Sequence, residues 1–192
     1  MQHLGHFLYL CYRSISTVTE KDMIEGCRRG DISARRELYE RLSGLMYGVC
    51  CRYVKDRDMA KDLLHDGFIV LYTKIGEFRG EGSFEGWCRR VFINTILGHL
   101  RKNDPLQHAD RIENLFMLND REFSVLEKLS AQELVACIGD LPEGYRTILN
   151  LHAIEGYSHK EVASMLGINE NTSRSQYSRA RNKLQEILKN RE

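Results

Sequence analysis

Asn171, Arg174, Ser175, Ser178, Arg179 and Lys183 are the residues of this sequence whose types and spacing point most directly to chemistry with a partner. At about 100° per residue, Asn171, Ser175, Ser178, Arg179 and Asn182 fall on one side of a helix, with Arg174 on its flank and Lys183 beside Arg179. Small hydroxyl side chains permit close approach to a groove, amides and guanidinium groups read base edges, and basic groups at the margin hold phosphates. The opposite side, Ser173, Tyr177, Ala180, Leu184 and Leu188, is expected to pack inward. From residue 171 to 191 the basic residues Arg174, Arg179, Arg181, Lys183, Lys189 and Arg191 stand against a single acid, Glu186.

The residues just before this helix are those needed to position it. Ser158 with Glu161 three residues on makes a capping box, so a helix should begin at His159. Val162, Ala163 and Leu166 give it an apolar stripe, Gly167 supplies the left-handed stop, Ile168 fills the corner and Asn169 caps the next helix. The pattern is a helix-turn-helix. The plainer alternative is a helical hairpin with a solvated basic face, but capped start, Gly turn, capped restart and one-sided charge seldom coincide by accident.

A second set lies upstream. Residues 78–83 form a Gly-rich turn ending at Ser83, an N-cap for a helix over residues 84–101 that carries Phe84, Trp87 and Phe92. From Cys88 to Lys102 its charges are all positive: Arg89, Arg90, Arg101 and Lys102. Aromatics beside arginines suit the stacking of unpaired bases and the holding of phosphates, although Trp87 and Phe92 also serve as core. The turn lacks the Gly-x-x-x-x-Gly-Lys-Ser/Thr spacing of a nucleotide loop.

The third set is Asp62, His65, Asp66 and Ile69, two acids around an apolar residue on a helix over residues 59–75. The other side of that helix, Ala60, Leu64, Phe68, Leu71 and Ile75, is expected to face the core. Such an outer face is either ordinary solvated surface or a dock for a basic partner.

The whole chain limits what these sets can mean. Lys+Arg 28 against Asp+Glu 27 leaves +1, so contact with nucleic acid must come from local patches. Two prolines in 192 residues and the absence of alternating β-branched runs predict helices throughout. A short helix near residues 22–29, a longer one with stripe Leu38, Leu42, Leu45 and Val49, and a turn at Asp56-Arg57-Asp58 precede the 59–75 helix. A helix over residues 127–141, with stripe Leu129, Leu134, Ile138 and Leu141, is followed by another with Pro142 in its first position. Between residues 103 and 126, Pro105 and the acids Asp104, Asp110, Glu113, Asp120 and Glu122 mark an acidic linker. The six cysteines and seven histidines show no metal-ligand spacing, and scattered Cys on helical stripes fit a reducing cytoplasm. No stretch reaches the ~20 apolar residues of a membrane span, and residues 1–19 read as a poorly ordered extension rather than a signal peptide.

Three blocks, in order, resemble the two-domain bacterial RNA polymerase sigma factors of the extracytoplasmic-function (ECF) group, sigma-70 family. Asp62-Leu63-Leu64-His65-Asp66-Gly67-Phe68 is similar to the polymerase-binding helix of region 2. Phe78-Arg79-Gly80-Glu81-Gly82-Ser83-Phe84, with Trp87, Arg90 and Asn94, is similar to the segment that opens and reads the −10 element. Leu141-Pro142 through Gly156-Tyr157-Ser158 to Arg179-Ala180-Arg181 is similar to region 4, which reads the −35 element.

The resemblance implies an all-α fold of two small helical domains joined by the acidic linker: region 2 over residues 20–104, linker 105–126, region 4 over 127–192. Asp62, His65, Asp66 and Ile69 would engage the clamp helices of the largest polymerase subunit. Trp87, Arg89, Arg90, Asn94, Thr95, Arg101 and Lys102 would hold −10 DNA, with Asn94 and Thr95 at a flipped base. Asn171, Arg174, Ser175, Ser178, Arg179 and Lys183 would read the −35 element. It further implies core RNA polymerase, promoter DNA and an anti-sigma factor as partners, a cytoplasmic location, no cofactor, no metal and no catalysis. His65 stands where the family more often has Gln, and Ser173 and Gln176 stand where Val and Arg are usual, which puts the inner packing and one phosphate contact in question. The competing reading is a stand-alone helix-turn-helix regulator, which normally dimerises on paired half-sites. It leaves the aromatic and basic Trp87 helix unexplained. An enzyme has no nucleophile–base arrangement, metal cluster or nucleotide loop to rest on.

Overall fold

The computed structural model describes residues 18–102 and 131–190. The proposed linker, Leu129 and nearly all of the N-terminal extension lie outside the described residues, as does the side chain of Lys102. Every regular element among the described residues is helical.

Short polar side chains start the first three helices. Thr19 caps α1 (Glu20–Arg28), accepting from the Asp22 amide at 3.2 Å. Asp31 caps α2 (Ile32–Tyr53) through Ser33 at 2.9 Å, and Asp56 caps α3 (Arg57–Lys74) through Asp58 and Met59 at 2.8 and 2.9 Å. A 3₁₀ turn, Ile75–Glu77, leads to the Gly-rich loop, where Gly80 and Gly82 take positive φ. Ser83 then accepts from the Gly86 amide at 3.0 Å and opens α4 (Phe84–Lys102).

Two expected stripes are displaced. On α2, Leu38, Leu42 and Val49 are buried, but Leu45 is 38% exposed and Met46 takes the inward position. Helices from both domains press on α2, so its buried face widens beyond one four-three repeat. On α3, Leu63 and Gly67 face inward with Ala60, Phe68 and Leu71, while Leu64 is only half-buried. Gly67 is there because α4 comes close: a Cβ at this position would lie 2.2 Å from the Phe92 ring. Phe92 meets Phe68 edge-on at 5.2 Å in the same layer.

The second helical domain comprises α5 (Ala131–Gly139), α6 (Glu143–Leu149), a π turn (Asn150–Ile154), α7 (His159–Leu166) and α8 (Glu170–Lys189). Pro142 caps α6 rather than occupying its first turn. Cys137, Ile138, Leu141, Leu149, Ala180, Leu184 and Leu188 form one core, whereas Ile148, Leu151, Val162 and Leu166 join the core of the first domain. The two domains therefore rest on each other.

Polar groups fix where they meet. Helix α2 ends without intrahelical partners for its last carbonyls. The second domain supplies donors: Asn150 Nδ2 to Arg52 O at 2.8 Å and an Arg146 amine to Tyr53 O at 3.1 Å. Glu155, with its carboxylate 5% exposed, pairs with both Arg52 and Arg89 at 2.7 Å. Lys55 and Asp140 add an outer pair at 2.8 Å.

The α3–α4 contact predicts the effect of one methyl. Gly67→Ala should cost roughly 1–3 kcal/mol of stability by overpacking against Phe92, read as a lowered urea midpoint. Gly44→Ala, with nothing within 4 Å, should be neutral or slightly stabilising. Equal behaviour of the two variants would contradict the close approach.

Candidate nucleic-acid interface

The helix-turn-helix forms as its residues dictate. Ser158 Oγ and Glu161 complete the capping box, Gly167 stops α7 at φ 72°, and Asn169 Oδ1 accepts from the Thr172 amide at 2.7 Å. On α8, Asn171, Arg174, Ser175 and Lys183 are exposed, and Ser178, Arg179 and Asn182 are half-buried. Arg174 pairs with Glu170 at 2.6 Å and Lys183 with Glu186 at 2.9 Å, while the Ser175 hydroxyl donates to Thr172 O at 3.1 Å. The expected reading face is thus brought together and stays open even though the domains are in contact.

Behind it, Ser173 is fully buried and Gln176 is 4% exposed. Gln176 sits inside, so it cannot take the place of a phosphate-holding arginine. Ser173 Oγ meets His159 Nδ1 at 3.0 Å. The His159 ring stacks on His152 with centroids 3.9 Å apart, and Tyr177 stands edge-on to both. His152 Nδ1 lies 2.7 Å from Tyr157 O, and since a carbonyl only accepts, that nitrogen carries the proton. Sequence reasoning missed this pair, because the rings meet only when the π turn brings residue 152 back over α7.

On α4 the second set divides. Trp87, Arg90, Asn94 and Thr95 line one cavity of about 320 Å³ together with Val70, Lys74, Glu77 and Val91. Trp87 is held by Phe78 and Phe84 at 5.5 and 6.0 Å, leaving part of its surface open. The Thr95 hydroxyl donates to Val91 O at 3.0 Å and keeps its lone pairs for another donor. Arg89 does not face this cavity, since its guanidinium is committed to Glu155 in the second domain. Arg101 is exposed two turns further along α4. Val70, Lys74 and Glu77 were missed because they come from α3 and the 3₁₀ turn, and no spacing within α4 announces them. Glu155 was missed for a related reason: one acid in a short turn carries no local signature.

The third set falls on one strip of α3, where Asp62, His65, Asp66 and Ile69 are all exposed, Ile69 at 52%. The described cysteines are free thiols, four of the five buried, and burial pushes Cys50 and Cys88 up to about 12. Cys11 lies outside the described residues. No helix among the described residues is long and apolar enough to cross a membrane.

Comparison with known proteins identifies the family. Residues 38–105 match the family model "Sigma-70 region 2", and residues 131–184 match "Sigma-70, region 4". The RNA polymerase sigma-H factor of Pseudomonas aeruginosa is 31% identical over 181 residues, covering 88% of this chain and 93% of its own. The ECF RNA polymerase sigma-E factor of Haemophilus influenzae is 30% identical, with coverage of 89% and 98%. The chain belongs to the sigma-70 family, as a sigma factor of the ECF group. This sigma factor is a transcription initiation factor that partners core RNA polymerase and promoter DNA. A stand-alone regulator finds no support in these matches. Its fold is also similar to that of the sigma factor RpoE in a complex with the anti-sigma factor NepR from Bartonella quintana, at TM-score 0.51 and 22% identity over 80% of this chain and 96% of that one.

Burial of His159 makes region 4 sensitive to pH. Burial first, then repulsion from His152 and Arg174, holds His159 below the ordinary imidazole value near 6.5, with Glu170 opposing. The unfolded state therefore binds more protons, so stability is intact above about pH 6.5 and falls as pH drops below it. Thermal melts between pH 7.5 and 5.5 should show that loss, and His159→Gln should flatten it. An unchanged slope in the variant would place the titration elsewhere.

Proposed function

We propose that residues 20–104 bind polymerase and the −10 element, that residues 127–192 read the −35 element, and that residues 105–126 tether the two. The reading is carried by one observation: three chemically distinct surfaces, acidic, aromatic-basic and amide-basic, stand on three separate helices. On α3, Asp62, His65, Asp66 and Ile69 dock on the clamp helices of the largest polymerase subunit. Opening a duplex costs a few kcal/mol per unstacked step. The Trp87–Arg90–Asn94–Thr95 cavity offsets this by holding a base swung out of the stack, while Arg89, Arg101 and Lys102 hold backbone. On α8, Asn171, Arg174, Ser175, Ser178, Arg179 and Lys183 enter the major groove.

Distance adds a constraint. The two promoter elements lie about 25 base pairs apart, or roughly 85 Å at ~3.4 Å per pair. A compact chain of this length has a radius of gyration of only ~16 Å. The domains must therefore part to read both elements, and residues 103–130 can reach at most ~95 Å fully extended. Parting also exchanges the Glu155–Arg89 pair for a phosphate on Arg89. An anti-sigma factor, as held by the Bartonella relative, would act on the same equilibrium. The sigma factor works in the cytoplasm and supplies specificity, with the polymerase as the catalyst.

Purified chain added to core polymerase should give promoter-dependent initiation on a genomic template library, where a stand-alone regulator would give none. Reversing charge at Asp62 and Asp66 should weaken polymerase binding roughly tenfold or more with the melting temperature unchanged. Unaltered affinity would remove α3 as the dock. Arg174→Ala or Arg179→Ala should cost ~1–3 kcal/mol at particular −35 positions if the side chain reads a base. An equal loss on every sequence would reassign that arginine to phosphate.

A further inference from the structure

Residues 78–83 follow Glu77 at the rim of the Trp87 cavity and begin with Phe78, whose buried ring packs on Phe84 and Trp87. They contain two glycines at positive φ, and the Ser83 cap fixes their far end. The backbone at their near end is held, beside the Phe78 ring, by a residue outside all three surfaces. Arg28, in the last turn of α1, reaches across to the point where α3 and the 3₁₀ turn run out. Its Nε donates to Ile75 O at 3.4 Å, and one terminal nitrogen donates to Phe78 O. The other terminal nitrogen pairs with Glu25 at 2.6 Å, which fixes the rotation of the guanidinium. All three nitrogens are thus used: Ile75 O takes Arg28 beside the Phe78 amide it already accepts at 3.3 Å in the 3₁₀ turn, and Phe78 O lies beyond that turn. Those carbonyls flank Glu77, which lines the cavity, and belong in part to Phe78, whose ring supports Trp87.

We propose that Arg28, oriented by Glu25, is a positioning residue for −10 recognition: it locks the loop so that Glu77 and Trp87 stand at the right separation around a captured base. The inference rests on the cavity's role proposed above. An arginine is required, because a planar fork serves two carbonyls at fixed angles whereas a lysine is a point charge that serves one. Arg28 contacts no base itself.

The test uses holoenzyme assembled from core polymerase and the full chain. Its affinity is measured for a single-stranded −10 oligonucleotide of the non-template strand and for the same strand with the captured base made abasic. Wild type should prefer the intact strand. Arg28→Ala should lose about tenfold of that preference, the order expected when a charge-assisted hydrogen bond is removed, and Arg28→Lys and Glu25→Gln should lose less. Affinity for polymerase and for −35 duplex should stay as in wild type. Equal weakening toward both strands, or a parallel loss of polymerase binding, would make Arg28 a general stabiliser and overturn the proposal. So would full preference in Arg28→Ala. No preference in wild type would instead sink the cavity's role, and Arg28's with it.

Discussion

The arrangement depends on what happens at the C-terminal end of α2. A helix end turned toward another domain must find donors for its last carbonyls or leave them unpaired away from water. Here Asn150 and Arg146 cap Arg52 O and Tyr53 O, and Glu155 neutralises Arg52 beside them. A carboxylate this well covered holds a place in the interior only because both of its oxygens are paired; removing one partner of such a group typically costs about 3–5 kcal/mol. These polar pairs make the contact specific, alongside the apolar seam of Ile148, Leu151, Val162 and Leu166. In the proposed role a phosphate would replace the Glu155 carboxylate on Arg89, so nucleic acid would compete with this contact.

Such competition would let a chain with net charge +1 bind a polyanion through local patches. Basic residues stand on the other helices too, but α4 and α8 each carry a local cluster, several of whose members are balanced by acids nearby, Glu155 against Arg89, Glu170 against Arg174 and Glu186 against Lys183. In the proposed role each acid would keep its cation from acting as a general anion trap and would give way where a phosphate or base edge is presented in the right geometry. The acidic strip on α3 stands apart from these, so in the proposed role polymerase and DNA would not compete for one face.

Much of this was legible in the sequence wherever the cause was local. Ser158–Glu161, Gly167 and Asn169 specify the start, stop and restart of the helix-turn-helix within twelve residues, and the structure follows them. The exposed strip from Asp62 to Ile69 was likewise set by helical spacing. What was not legible was nonlocal. Leu45 gave way to Met46 because α2 is pressed from several sides, and nothing in the local sequence marks Gly67 as the place where the Phe92 ring comes close. Arg89 and Arg90 looked equivalent as neighbours in sequence, but one helical step points one into the cavity and the other toward Glu155. Glu155 and Arg28 act across 66 and 50 residues, to Arg89 and to Phe78, and no spacing rule reaches so far.

The central claim is that one chain alternates between a clasped form and a parted form that spans two promoter elements. The most direct measurement is the distance between one label on the exposed strip of α3 and another on the exposed face of α8, in the free chain and in a promoter complex with core polymerase. The account predicts a short, narrow distribution in the free chain and a lengthening by tens of ångströms on the promoter, as the ~85 Å between elements requires. A distance that stays short in an actively initiating complex would contradict it.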